Sequence, residues 1–164
     1  MHIKNKSINN VNNFFKQLKK YQDYNIFVHI DKNDAVKAAI DSDKRLKPLS
    51  EIDGTLIAVK SNIQVKGFPF TGGIEEYKYI NSDFNDPLID LIKTNGGIII
   101  GLTNMDEAAF GGDTSTSFYG TCYNPLNTNC SVGGSSGGSA AAISSGLVNY
   151  AIGTDTMGSV RIPA

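Results

Sequence analysis

What most constrains the fold of this chain is the alternation of short, wholly apolar runs with stretches of helical periodicity. Leu56-Ile-Ala-Val59, inside residues 55–62, reads as a buried strand that ends on Lys60, and residues 98–100 read as a second. Between them Asp86-Pro87 has the form of a helix start, a side-chain cap followed by proline at the first helical position. That helix covers residues 88–95 and stops at Gly96-Gly97. Upstream, Val11, Phe14, Phe15, Leu18 and Tyr21 give residues 9–24 a helical spacing, and residues 25–30 read as a short strand or extended segment. Asp31 or Asn33 can cap a second amphipathic helix through about Asp43, with Val36, Ala39 and Ile40 inward. Residues 67–73 read as a turn, and a polar, aromatic stretch over 106–130 holds a short helix near 106–110. Residues 136–145 read as helix from their alanines and residues 148–152 as a strand. The pattern predicts an α/β fold, a mixed and partly parallel sheet flanked by helices. Neither a repeat nor a linker breaks it, so residues 1–164 read as part of a single domain, with a helical region over 1–50 and a core portion over 51–164.

At 164 residues the chain is long enough to bury a core, and 40% hydrophobic with 19% charged residues suits a water-exposed globular protein. A net charge of −1 and a pI of about 6.1 recommend neither nucleic acid nor an anionic membrane as partner. Lys4, Lys6, Lys16, Lys19 and Lys20 read as a solvated helix face. No apolar stretch nears the roughly 20 residues a membrane helix needs. The N-terminus lacks the apolar core and small-residue cleavage site of a secretory leader, so the expected location is cytoplasmic. The spacing of Cys122 and Cys130 allows a disulfide, but in a reducing compartment they read as free thiols, and without a nearby histidine they make no zinc site. Ser159-Val-Arg-Ile-Pro-Ala164 looks like the opening of a further element, which leads us to expect the N-terminal portion of a longer domain.

A serine nucleophile needs a base to take its proton. The histidines are His2, beside the terminus, and His29, which closes a short extended segment and reads as a packing or solvent-facing residue; a Ser-His-Asp triad fits poorly. A lysine can serve instead if burial holds it neutral. Lys60 qualifies, because strand ends in an α/β sheet point side chains into clefts, although a lysine there can also snorkel to water. The run Gly133-Gly-Ser-Ser-Gly-Gly-Ser139 lets backbone amides and hydroxyls approach one reacting atom closely. Taken alone it also reads as a flexible loop or a phosphate cradle. A nucleotide P-loop needs Gly-Lys-Ser or Gly-Lys-Thr, and this run has no lysine, which ranks phosphate binding below acyl transfer.

Four blocks stand in order: Gly54-Thr-Leu-Ile-Ala-Val-Lys60-Ser-Asn62, Gly101-Leu-Thr-Asn-Met-Asp-Glu107, Gly133-Gly-Ser-Ser-Gly-Gly-Ser139 and Gly153-Thr-Asp-Thr-Met-Gly-Ser-Val-Arg-Ile-Pro-Ala164. With 75 positions from Lys60 to Ser135 and 24 from Ser135 to Ser159, they resemble the amidase signature family of serine hydrolases. The resemblance implies the amidase signature fold and a Ser–cis-Ser–Lys triad. In that triad Ser159 is the acyl-forming nucleophile, Ser135 the bridging serine after a cis peptide, and Lys60 the base. It also implies an oxyanion hole from the backbone amides of Thr156, Met157, Gly158 and Ser159. Asp155 and Arg161 would pair or order that turn, and Ser136 would be a supporting hydroxyl. No metal or organic cofactor is implied, and the partner is a small-molecule amide. Three positions depart from the family pattern. Met157 stands where many members have glycine, Ser61 replaces an aspartate common after the lysine, and family domains are longer.

The leading function on this resemblance is hydrolysis of a carboxylic amide. An alternative is the family branch of glutamyl-tRNA(Gln) amidotransferase A subunits, which release ammonia from glutamine in a complex with partner subunits. Thr103-Asn-Met-Asp-Glu107 looks like that branch, whereas Ile162 stands where it is expected to carry glutamine. The third reading is an inactive truncated fragment, at most a binding module.

Overall fold

The computed structural model describes residues 5–164; His2 and Lys4 lie outside the described residues. Among these residues four strands form one mixed sheet: β1 (Phe27–Ile30), β2 (Leu56–Lys60), β3 (Ile98–Thr103) and β4 (Tyr150–Ile152), in spatial order β1-β3-β2-β4. Strand β2 runs parallel to both β3 and β4, and β1 pairs antiparallel with β3. The sheet is flanked by the helices α1 (Lys6–Leu18), α2 (Lys32–Lys44), α3 (Pro87–Thr94) and α4 (Gly137–Ser144). This is the α/β architecture the sequence predicts, and β1 adds an edge strand from within the otherwise helical first fifty residues.

The helices start where local chemistry lets them. Asp31 caps α2 by accepting the Asp34 N–H at 2.9 Å, and Asp86 caps α3 by accepting the Leu88 N–H at 3.0 Å ahead of Pro87. Helix α1 begins earlier than its apolar spacing predicts and borrows its cap. The Asp43 carboxylate, near the end of α2, accepts the N–H groups of Ser7 and Ile8 at 2.9 and 3.0 Å. A 3-10 segment, Lys19–Tyr24, prolongs α1. Lys6, Lys16, Lys19 and Lys20 are exposed, as expected.

Helix α2 differs from expectation in the face it buries. Ala35, Ala39 and Ser42 point inward, Val36 is half-buried and Ile40 is 40% exposed. Small residues win because the helix approaches α1 closely: Ser7 Oγ donates to Ser42 Oγ at 3.1 Å, and Ser42 donates on to Asp53 at 2.8 Å.

Both faces of the central strands are covered, which is why β2 and β3 are apolar without alternation. Leu56, Ala58, Ile98 and Ile100 join one cluster with Val11, Phe14, Ala35, Ala39 and the α4 residues Ala141 and Ala142. Ile57, Val59, Ile99 and Leu102 join another with Ile63, Val65, Phe68, Ile89 and Ile92. Strict alternation would put Leu102 in the first cluster. A bulge prevents it: Ile57 pairs with Ile99 but Ala58 pairs with Gly101, so β3 carries one extra residue. Strand β3 also runs on past residue 100, the expected limit, to Thr103. Gly101 permits this, since a Cβ there would collide with the His29 carbonyl on β1.

His29 packs its ring edge-on against Phe68, 4.6 Å between centroids, and burial lowers its pKa against the opposing pull of Asp31. Cys122 is buried and Cys130 exposed, both free, and burial pushes the Cys122 thiol up to about 12. No helix among the described residues is long and apolar enough to cross a membrane.

Candidate active site

Parallel strands bring their C-terminal ends to one edge of the sheet, where side chains and loops can converge. Lys60 is the last residue of β2, Thr103 the last of β3, and Gly153-Thr154 leave β4 at the same edge. The β3 bulge puts Thr103 beside Lys60 in register, on the face covered by α4, where Thr103 Oγ1 and Ser139 Oγ lie 2.8 Å apart. Helix α4 can start this close because Gly138 has no side chain; a Cβ there would sit 2.5 Å from the Asn104 backbone N and O. The Gly138 N–H donates to the Asn104 carbonyl at 3.1 Å, tying the helix to the end of β3.

Lys60 is wholly buried, so it does not snorkel to water. Its Nζ donates to Ser135 Oγ at 2.8 Å, to Thr154 Oγ1 at 2.9 Å and to the Thr154 carbonyl at 3.4 Å. Burial lowers the Lys60 pKa to about 8, while the charges of Asp106 and Asp155 pull it back upward. A large fraction of Lys60 is therefore neutral at mildly alkaline pH. Ser61 and Asn62 follow in a turn. Ser61 Oγ and Asn62 Oδ1 are buried and lack a hydrogen-bond partner among the described residues, while Asn62 Nδ2 donates to Thr154 Oγ1 at 3.0 Å.

The glycine–serine run is ordered structure, not a flexible loop. The peptide bond between Gly134 and Ser135 is cis, and Ser135 and Ser136 are buried. Ser136 donates through its N–H to the Ser159 carbonyl at 3.0 Å and through Oγ to the Thr154 carbonyl at 3.2 Å. The run is thus fastened to the segment that carries Ser159. Ser159 is half-buried, and no hydrogen bond joins its hydroxyl to that of Ser135 among the described residues.

Residues 155–161 form a tight turn around one carboxylate. Asp155 accepts the N–H groups of Gly158 at 2.8 Å, Val160 at 2.9 Å and Arg161 at 3.1 Å. It also pairs with the Arg161 guanidinium, Nη2 at 2.8 Å and Nε at 3.1 Å. The Arg161 side chain, then the Val160 amide, hold the Asp155 carboxyl well below the usual carboxylate range. Asp155 and Arg161 thereby tie this turn together, and one amide expected as a donor already has a partner. The Gly158 N–H is occupied by Asp155, which leaves the amides of Thr156, Met157 and Ser159 without a backbone partner among the described residues. Met157 is 89% exposed beside them.

Sequence reasoning missed Asp106 and Thr154. Asp106 is buried; its carboxylate accepts the N–H groups of Asp113, Thr114, Ser115 and Thr116 at 2.9–3.4 Å and the Thr116 hydroxyl at 3.0 Å. Its own N–H donates to the Ser135 carbonyl at 3.3 Å, and a Cβ on Gly134 would strike its carboxylate. Asp106 stands in the second of the four blocks, but the five donors that converge on it come from residues 113–116 and show only in the fold. The hydroxyl next to Asp155 in the last block was the available signal for Thr154.

The sequence profile of the family described as Amidase matches residues 9–164. The A subunit of glutamyl-tRNA(Gln) amidotransferase from Methanothermobacter thermautotrophicus is 40% identical over 159 residues, covering 94% of this chain and 35% of that protein. A bacterial aryl acylamidase of the amidase signature enzymes superposes with a TM-score of 0.88 at 26% identity, over 96% of this chain and 34% of that one. The glutamyl-tRNA(Gln) amidotransferase A subunit from Thermotoga maritima superposes with a TM-score of 0.66 at 34% identity, over 76% of this chain and 31% of its own. The chain spans about a third of the length of the curated relatives it matches.

Proposed function

Because this chain belongs to the amidase family, we propose that it carries the base and serines of an amide-cleaving site that works through an acyl-enzyme on Ser159. The observation that carries this reading is the 2.8 Å contact between a fully buried Lys60 Nζ and Ser135 Oγ. Neutral Lys60 takes the Ser135 proton, Ser135 takes that of Ser159, and Ser159 Oγ attacks the amide carbonyl. The bond from the Ser136 N–H to the Ser159 carbonyl ties the segment that carries the nucleophile to the residue next to Ser135. On this reading the amides of Thr156, Met157 and Ser159, which have no backbone partner among the described residues, supply the donors for the developing oxyanion. Collapse breaks the C–N bond, and the proton held on Lys60 returns through Ser135 to the leaving amine. Water then attacks the ester by the same relay in reverse. A cytoplasmic setting fits the two free thiols.

Fluorophosphonate labelling with peptide mapping tests the assignment. The label is expected on Ser159 and absent from Ser159→Ala; an unlabelled wild-type chain overturns it and leaves the inactive-fragment reading.

A second reading has its own support. The Methanothermobacter relative, 40% identical, is an amidotransferase A subunit. On that reading the amide is glutamine and the ammonia passes to a partner protein of the complex. Glutaminase activity that rises on adding such partners favours it, and partner-independent cleavage of simple amides favours the hydrolase.

A further inference from the structure

An amine nitrogen bonded to carbon has three remaining tetrahedral positions. In the ammonium all three are hydrogens; in the neutral amine one is the lone pair. At Lys60 two of the three meet the same residue, Thr154, through its hydroxyl at 2.9 Å and its carbonyl at 3.4 Å. The third meets Ser135 Oγ. The carbonyl can only accept, so one N–H is committed to it in either protonation state. Thr154 is itself gripped twice: Asn62 Nδ2 donates to its hydroxyl at 3.0 Å, and Ser136 Oγ donates to its carbonyl at 3.2 Å. Its contacts with Lys60 bridge 94 positions of sequence, from the end of β2 to the residue pair that leaves β4.

We infer that Thr154, braced by Asn62, is a positioning residue that orients the Lys60 amine so that its proton-exchanging position faces Ser135. The inference rests on the reading of Lys60 as the base. Two carboxylates act on the same amine: Asp106 on the loop after β3 and Asp155 beside Thr154. Substituting Thr154 or Asn62 removes neither carboxylate, so the variants differ from the wild type by the hydroxyl or its brace and not by a charge. Removing an acceptor of the ammonium disfavours the charged form, so the Lys60 titration must move to lower pH.

The test is NMR titration of the Lys60 ζ nitrogen in the wild type, Thr154→Val, Thr154→Ser and Asn62→Ala, followed by the rate of fluorophosphonate labelling against pH. In Thr154→Val the midpoint should fall by about one pH unit, the scale of one hydrogen bond to a charged group. Labelling at high pH, where Lys60 is neutral in both proteins, should still be about tenfold slower because the lone pair is no longer aimed. Thr154→Ser should restore both, and Asn62→Ala should move the midpoint the same way by less. Should Thr154→Val not fold, the Asn62→Ala shift decides. Midpoints in Thr154→Val and Asn62→Ala that coincide with the wild type overturn the inference. The titration is read whether or not Ser159 takes the label, so failure of the proposed function and failure of this inference are separable.

Discussion

At the scale of single residues, the chemistry depends on what burial does to Lys60. Its ordinary value of 10.5 is lowered to about 8. On the proposed relay the base must be neutral, so acylation should rise with pH and level off above about 8, whereas Lys60→Arg, cationic at any working pH, should not acylate. The same shift has a stability consequence of definite sign. The unfolded chain holds this proton more tightly than the folded one, so below pH 8 the folded state bears the full penalty of a buried ammonium. Folding gains stability as pH rises from about 8 to 10.5. Lys60→Met should therefore be more stable than the wild type at pH 7, by at most about 3 kcal/mol, with the difference shrinking through that window. Denaturant melts at pH 7 and 10 measure it; a difference that does not shrink rules out this account. Lys60 was legible because an apolar strand ending on a lysine at a sheet edge is a local pattern. Thr154 was not, because its role depends on Lys60, 94 positions away in sequence, a partner that only the folded chain supplies.

At the scale of elements, glycine decides how near α4 comes to β3. Gly138→Ala places a methyl 2.5 Å from Asn104 backbone atoms that cannot move without disturbing the end of β3. It should cost about 1–3 kcal/mol and carry Ser135 and Ser136 away from Lys60, lowering both the melting temperature and Ser159 labelling. Gly112 has open space around its Cβ direction and a φ outside the left-handed region, so Gly112→Ala should leave both unchanged. Equal losses in the two variants would show that α4 is not held by this contact. Element reading from sequence succeeded where the signal was local, as at Asp86-Pro87, whose cap is made within two residues. It failed at Ile40, where the larger side chain was expected inside. What decides that face is Ser7, whose hydroxyl reaches Ser42 across 35 positions of sequence, a contact that only a small neighbour allows.

At the scale of the whole molecule, two hydrophobic clusters clamp one sheet, and the site lies where three parallel strands run out between them. The α/β class was readable from the alternation of apolar runs and helices. The strand order was not, because β2 takes its two neighbours from segments some 40 and 90 positions downstream, distances on which local propensity is silent.

The extra residue in β3 makes the site a matter of parity. Counted strictly two by two from Ile98, Thr103 would fall on the wall opposite Lys60; the odd residue near Ile100 restores it. A deletion of one residue, Ile100, should therefore be gentler on the site than a deletion of two, Ile100 with Gly101. The single deletion erases the surplus and keeps Thr103 against Ser139. The double one is even, and turns the end of the strand over. Labelling of Ser159 in the two variants would read out whether the chain is counting in this way, with survival expected in the odd case and loss in the even one.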